Sequence, residues 1–413
     1  MNNYLVVADD FTGANDTGVQ ICRRSIPIKV VFDGGGISNN VDFSYVIDTE
    51  SRFLPAEAAF QKVSSVMNKI PCDKFSNVIK KVDSTLRGNI AFESRAMSLC
   101  CKPELVIFAP AFPDLGRTTE KGVHYLHGVP VSKTELARDP KTPVTIDNIF
   151  TIMKEAFPDE SISHVKLDDL RKANFDFNNG RVFCFDAVTN EDLALIVTAV
   201  NNSKKSVLWV GCAGLVDIIL SVALPLKPAL AVIASLSSVT RSQVLYAEKQ
   251  GMLLQKIPFY SILEKSITEE EITREAVQKL KSGRDLILLS SSSYSIEEYE
   301  KTENSARKAG ISKEEMSLFT QDFIGKLTLQ VIDELYKNSF GISGLFLSGG
   351  DTAISFFEKA GAYGSSIKTE IATGIPLMQL EGGKYNGLKV VTKAGAFGNE
   401  DAVFYALRKL KEK

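Results

Sequence analysis

Tyr4-Leu-Val-Val-Ala8, followed by Asp9-Asp10-Phe-Thr12-Gly13-Ala-Asn15-Asp16-Thr17-Gly18, is the stretch that decides the fold. Five apolar residues make a buried strand. The run after them packs three Asp, one Asn, two Thr and two Gly into ten positions. A helix start needs one capping oxygen, and a tight turn needs one glycine. Two adjacent carboxylates together with Asn15 and Asp16 exceed both needs. The run therefore reads as a ligand site at the carboxyl end of a strand, where open α/β sheets bind their ligands. Asp9 and Asp10 are the candidate catalytic residues, since a carboxylate there can bind a substrate hydroxyl, take its proton or hold Mg²⁺.

The pattern of that first unit repeats. Further strands are expected at 26–32, 45–48, 77–82, 105–109, 181–185 and 206–210, with helices between them, as over 55–67 and 191–200. Strands alternating with helices imply βαβ units and a mainly parallel sheet. Pro225 and Pro228 interrupt the series, and a second one follows at 229–234, 285–290, 344–348 and 388–392. At 413 residues the chain exceeds a single core. The expected architecture is α/β with two domains, 1–226 and 227–413. Each is a mainly parallel sheet flanked by helices, and the active site is expected in the cleft between them.

A net charge of −2 argues against binding nucleic acid through phosphate neutralisation. No apolar run is long enough to cross a membrane, and no basic segment followed by an apolar run opens the chain, so a cytoplasmic protein is expected. The six cysteines, Cys22, Cys72, Cys100, Cys101, Cys184 and Cys212, form no C-x-x-C pair and read as buried, reduced thiols. His124, His127 and His164 are too few for a structural zinc site.

Other strand ends carry chemistry too. Asp48-Thr-Glu50-Ser-Arg52 places an arginine fork on the same rim, suited to a carboxylate or phosphate; a surface pair with Glu50 is the plainer alternative. Lys80-Lys81-Val-Asp83-Ser84-Thr85-Leu-Arg87-Gly-Asn89 combines cations for a carboxylate with Asp and hydroxyls for a polyhydroxy acid; here Ser84 and Thr85 are expected to cap the next helix. Residues 110–145 read as a long loop with hairpin-like pieces, a lid or an interface arm. In the second half, Ser235-Leu-Ser237, Ser348-Gly349-Gly350-Asp351 and Lys393-Ala-Gly395-Ala-Phe-Gly398 each follow a strand and precede a helix. Glycine lets backbone N–H groups approach phosphate, and a helix N-terminus favours its charge. The basic run from Arg408 to Lys413 reads as a solvated helix end.

These motifs, in this order, resemble those of the four-carbon acid sugar kinase family, long carried as a domain of unknown function. The resemblance rests on residues 7–20, Lys80 to Asn89, Gly116-Arg-Thr-Thr119 with Gly128-Val-Pro130 and Asp139-Pro140, Ser348 to Asp351, and Thr392 to Gly398. It runs from residue 4 to about 400 and is closest to the D-threonate and D-erythronate kinases. It implies ATP-dependent phosphorylation of the terminal hydroxyl of a four-carbon acid sugar, with ATP and Mg²⁺ required. By position, it implies that Arg52, Lys81, Asp83, Ser84, Thr85 and Arg87 touch the sugar acid. Ser235, Ser237, Gly349, Gly350, Asp351, Gly395 and Gly398 would touch ATP. Ala234-Ser235 stands where the family turn starts Gly-Ser. Partners are the two small molecules, with a homodimer possible and neither nucleic acid nor membrane expected. A non-catalytic sugar-acid sensor is the alternative, and a hydrolase using Asp9 or Asp10 as nucleophile is a third; the glycine-rich strand ends of the second half speak for the kinase.

Overall fold

The computed structural model describes residues 3–37 and 43–412. The chain forms two compact units, Met1–Pro225 and Leu226–Lys413.

The first unit is an eight-stranded sheet. Its strands are β1 (Tyr4–Ala8), β2 (Ile28–Phe32), β3 (Ser44–Asp48), β4 (Asn77–Lys81), β5 (Leu105–Phe108), β9 (Ile162–Val165), β10 (Val182–Phe185) and β11 (Val207–Gly211). They lie in the order β2-β3-β1-β4-β11-β5-β10-β9. Every pairing is parallel. β1, β3 and β5 are buried along their whole length, as strands covered by helices on both faces must be. The helices include α1 (Phe11–Cys22), α2 (Ala56–Met67) and α3 (Ile90–Cys101). From β1 the chain moves outward to β2, returns as β3, and then crosses to β4 on the other side. The direction of winding therefore reverses at β1 and β4, and such a reversal opens a crevice at the carboxyl ends of those strands.

The segment expected as a long loop with hairpin-like pieces carries those pieces as short strands. β6 (Arg117–Glu120), β7 (Val123–Leu126) and β8 (Val129–Pro130) form a small antiparallel sheet. Thr119 pairs with Ala187, and His124, Val131 and Val144 are buried, so the segment folds back onto its own unit.

The second unit is a seven-stranded sheet in the order β13-β14-β12-β15-β18-β17-β16. Its strands are β12 (Ala229–Ile233), β13 (Leu253–Ile257), β14 (Leu286–Ser290), β15 (Gly344–Ser348), β16 (Gly364–Ala372), β17 (Ile375–Glu381) and β18 (Lys389–Lys393). The first five in that order are parallel; β17 and β16 add an antiparallel extension that the sequence reading did not include. β12 leads to β13 and back to β14 before the chain crosses to β15. This is the same winding as β1, β2, β3 and β4, and it puts a second reversal at β12 and β15.

The cysteines depart from expectation. Cys72 and Cys101 form a disulfide across 29 residues. Cys22 is exposed and Cys100 half-buried; Cys184 and Cys212 alone are buried thiols. The reason is spatial: α2 packs on α3, and the short turn Cys72–Lys74 after α2 meets the end of α3. Spacing along the sequence does not show that meeting. Of the basic C-terminal run, Arg408, Lys409 and Lys411 occupy the last turn of the helix Ala402–Lys411, while Lys413 lies outside the described residues. Protein purified without reductant, denatured and alkylated should carry label on Cys22, Cys100, Cys184 and Cys212 only, and on Cys72 and Cys101 as well after reduction. Mass spectrometry that finds all of them labelled before reduction would contradict the disulfide.

Candidate active site

Three strand ends of the first unit converge. Asp9 and Asp10 follow β1, Thr49 to Arg52 follow β3, and Val82 to Asn89 follow β4. Asp10 is the N-cap of α1 and accepts from the Gly13 N–H at 2.9 Å. Capping accounts for one carboxylate; the other has a different partner. Arg52 bridges both. Its Nε and Nη2 donate to Asp9 Oδ2 and Oδ1 at 2.7 and 3.0 Å, while Nη1 and Nη2 donate to Asp10 Oδ2 and Oδ1 at 2.7 and 2.8 Å. The guanidinium thus makes two bidentate pairs, an arrangement an ammonium cannot copy. The pairing with Glu50 does not form; Glu50 instead accepts from the Phe11 N–H. Burial acts against the Arg52 charge, but Asp9, Asp83 and Asp10 together hold its pKa above the ordinary guanidinium value. The two carboxylates differ in access: the Asp9 side chain is 2% exposed and that of Asp10 18%.

The expected contact of Arg52 with a substrate carboxylate therefore meets a physical obstacle, since four of its N–H donors are committed. Lys81 is differently placed. Its ammonium donates to the Val82 carbonyl at 3.0 Å, and no carboxylate lies within ion-pair distance of it among the described residues. A Cβ added to Gly13 would lie 2.6 Å from Asp10 Oδ1 and 2.8 Å from Lys81 Nζ, so cation and carboxylate flank the first turn of α1.

The turn after β4 folds around Asp83. Burial raises the pKa of that carboxyl, but hydrogen bonds from Arg87 and Thr85 and the nearby Arg52 outweigh it and hold the group well below the usual range. Thr85 donates its hydroxyl to Asp83, and Arg87 reaches Asp83 at 3.0 Å and Asp139 at 3.6 Å. Thr85 and Ser84 do not cap α3, whose N-cap is Asn89. Asn89 spends its amide on the carbonyls of Ser51 and Leu54, at 3.0 and 2.8 Å, and ties this turn to the Arg52 segment. Gly88 has φ 93°, and a Cβ there would sit 3.1 Å from Arg52 Cγ and 3.2 Å from Asp9 Oδ2. Only glycine permits that approach. The Ser84 carbonyl meets His124 Nε2 at 3.0 Å, while His124 Nδ1 meets Thr119 Oγ1 at 2.9 Å. Burial pulls the His124 pKa down to about 4, so this imidazole is neutral and braces the turn.

Behind the rim lies a buried network that the sequence reading missed. Lys80 and Glu93 pair at 2.8 Å with essentially no exposure. Ser51 donates to Glu93 at 2.7 Å, and the hydroxyls of Ser51 and Thr49 meet at 2.8 Å. Burial, partly offset by Lys80, raises the Glu93 pKa. A lysine inside an otherwise apolar strand run was the available signal. Asp48 was also passed over: burial pushes its carboxyl up to about 6, and its Oδ2 has no hydrogen-bond partner.

On the second unit the rim comprises the ends of β14, β12, β15 and β18. Gly395 approaches the turn after β12 closely enough that a Cβ on it would lie 3.0 Å from Ser235 Oγ and 3.4 Å from Ser237 Cβ. Thr240 and Gln243, on the helix Ser238–Lys249 after β12, hold the turn after β18 through the carbonyls of Gly395, Phe397, Gly398 and Asn399. Gly349, at φ 110°, leads into the helix Gly350–Lys359, whose first-turn N–H groups have no side-chain cap. Asp351, in that first turn, accepts from Gln321 at 3.3 Å. Ser235, Ser237, Gly395 and Gly398 thus belong to one contact, and the Gly349 N–H joins β15 to β18 by donating to the Lys393 carbonyl at 2.9 Å. Among the described residues no group of three or more His, Cys, Asp or Glu could hold a metal ion.

Replacing Glu93 by Gln leaves the Lys80 charge buried without a counter-charge, facing only the carbonyls of Val7 and Lys81. Such a break costs about 3–5 kcal/mol. Urea denaturation should show that loss, and a Lys80→Met/Glu93→Leu double variant should recover most of it. An unchanged midpoint for Glu93→Gln would contradict the pairing.

Both units match described protein domains. Residues 4–219 match a family described as the sugar-binding N-terminal domain, and residues 230–403 one described as the nucleotide-binding C-terminal domain. The D-threonate kinase of Salmonella typhimurium is 32% identical over 430 aligned positions, covering 99% of this chain and 98% of that protein. The D-erythronate kinase of Heliobacterium modesticaldum is 28% identical, covering 99% and 98%. The 3-oxo-tetronate kinase of Brucella melitensis is 26% identical, covering 98% and 95%. A crystal structure of a domain of unknown function from Bordetella bronchiseptica, a domain-swapped dimer with bound citrate, is similar with a TM-score of 0.57 and 25% identity over 99% of each chain. With both domains matched and relatives aligned over nearly their full length, the chain belongs to the four-carbon acid sugar kinase family.

Proposed function

We propose that the chain transfers the γ-phosphoryl group of ATP to the terminal hydroxyl of a four-carbon sugar acid, D-threonate or D-erythronate. The observation that carries this reading is near-full-length similarity to a D-threonate kinase, and the first-unit rim adds the chemistry. Lys81, a buried cation with no carboxylate partner among the described residues, is the candidate for the substrate carboxylate. Arg87, half-buried and shared between Asp83 and Asp139, borders the same turn. Asp83, Ser84 and Thr85 offer acceptors and hydroxyls to the acid's hydroxyl groups.

Asp10 is the proposed base, because it is the more exposed of the two carboxylates held by Arg52. It would accept the proton of the terminal hydroxyl as that oxygen attacks phosphorus. Hydrogen bonds from Arg52 fix the orientation of that carboxylate. Positioning does most of the work, since phosphoryl transfer passes through a loose transition state in which the attacking oxygen gains little charge early. Asp9, enclosed and doubly bonded to Arg52, would keep the guanidinium in place. ATP would be held by the second unit at Ser235, Ser237, Gly349, Gly350, Gly395 and Gly398. Mg²⁺ entering with ATP needs one or two carboxylates besides the phosphates, and Asp351, in the first turn of its helix, would supply one. Assembly with a second copy is part of this proposal, in view of the dimeric Bordetella neighbour.

A coupled ADP assay should be run with D-threonate, D-erythronate, their enantiomers and 3-oxo-tetronates. ADP release that depends on one of the first two acids is expected. Asp10→Asn should lower kcat about 10²-fold or more, with KM for ATP little changed. No ADP with any of these acids would overturn the proposal, and an unimpaired Asp10→Asn variant would overturn the assignment of the base.

A further inference from the structure

Four lysine and arginine residues are buried as a whole among the described residues: Arg52, Lys80, Lys81 and Lys393. Arg52 meets Asp9 and Asp10, and Lys80 meets Glu93. Lys81 enters the proposed function. Lys393 remains, 2% exposed, at the last position of β18. Its ammonium donates to the carbonyls of Ala394 and Gly395 at 3.0 and 3.1 Å and to Thr240 Oγ1 at 3.2 Å. Among the described residues no carboxylate lies within ion-pair distance of it. A buried ammonium facing only neutral acceptors is costly, and burial alone pulls its pKa down to about 8. A lysine kept only to hold two carbonyls and a hydroxyl in place would do so better without its charge.

Its surroundings have the opposite need. Lys393 is the register partner of Ser348 at the end of β15. Ser348 is fully buried, and its hydroxyl has no hydrogen-bond partner. Directly after it, Gly349 opens the helix Gly350–Lys359 with its first-turn N–H groups uncapped by any side chain. Two neighbouring strand ends thus carry a lone cation, an unused hydroxyl and open helical amides. Each of the three favours an anion.

We propose that Lys393 is the buried counter-charge for the nucleotide's polyphosphate, acting from the base of the turn that carries Gly395 and Gly398. The proposal rests on the nucleotide-binding role assigned above and deepens it. Lys393 contributes to the phosphates and not to the base or the sugar, and its charge is uncompensated until nucleotide arrives. Nucleotide binding then supplies the missing anion, so the same lysine that burdens the empty domain strengthens the loaded one.

The test uses the full chain as wild type, Lys393→Met and Lys393→Arg, with melting temperature and titration calorimetry as readouts. The ligands are adenosine, AMP, ADP, ATP and inorganic tripolyphosphate. Lys393→Met should weaken ATP and tripolyphosphate by about 10- to 100-fold, AMP by less and adenosine not at all. Without nucleotide it should melt no lower than wild type. Lys393→Arg should retain part of the polyphosphate affinity. Should Lys393→Met not fold, Lys393→Gln, which can still donate to the carbonyls, carries the same expectation. Equal loss for adenosine and ATP, or a lower melting temperature of the empty uncharged variants, would mark a structural tie and overturn the proposal, as would wild-type ATP affinity in Lys393→Met. If the wild-type chain itself bound no nucleotide, the proposed function would fall with it; if only the variant comparison failed, that function would stand.

Discussion

The guanidinium of Arg52, inserted between the carboxylates of Asp9 and Asp10, is the interaction on which the first unit's rim depends. Two adjacent acids at a strand end repel one another and would turn apart into solvent. A planar cation with donors on two edges holds both at once, at hydrogen-bond distance and in fixed orientation. The surrounding structure serves that placement. Asn89 anchors the backbone on either side of Arg52, Gly88 leaves room for its stem, and the Lys80–Glu93 pair with Ser51 fixes the segment from beneath. These contacts come from three strands that meet where the winding of the sheet reverses, so the fold itself delivers the groups to one place.

The second unit repeats the winding and reverses the electrostatics. Its strand ends offer hydroxyls, glycines and uncapped helical amides where the first unit offers carboxylates. The family match assigns sugar binding to the first unit and nucleotide binding to the second. That assignment follows the chemistry: acceptors for a polyhydroxylated molecule, donors for a phosphate chain. Among the described residues, each unit also keeps one buried lysine without a carboxylate, Lys81 in the first and Lys393 in the second. Lone charges of this kind are rare because they weaken the empty protein, and they make sense where the ligand is an anion.

Much of this was legible in the sequence. The strand Tyr4–Ala8 and the rims at Asp9, Lys81, Ser348 and Lys393 fall where apolar runs stop and polar residues begin, because a parallel sheet buried on both faces leaves only its strand ends for chemistry. Partnerships were not legible. Arg52 reads as a substrate ligand, and nothing in the spacing shows its pairing with Asp9 and Asp10, which lie 43 and 42 residues away. The Lys80–Glu93 pair and the Cys72–Cys101 disulfide likewise join residues with no common spacing signal. The edge strand β16 escaped because it is mostly exposed and polar, and its inner neighbour β17 because Pro376 interrupts its apolar run. The segment 110–145 looked irregular because its strands are short and its turns rich in glycine and proline, features shared by loops and small antiparallel sheets.

The central claim is that Arg52 orients the carboxylates while Lys81 receives the acid. Steady-state kinetics with the preferred sugar acid separates the two most directly, comparing Arg52→Lys with Lys81→Met. Loss of the two bidentate pairs in Arg52→Lys should lower kcat steeply with KM for the acid nearly unchanged, and Lys81→Met should raise KM for the acid with a smaller effect on kcat. The reverse pattern, with Arg52→Lys raising KM alone and Lys81→Met leaving it untouched, would contradict the claim.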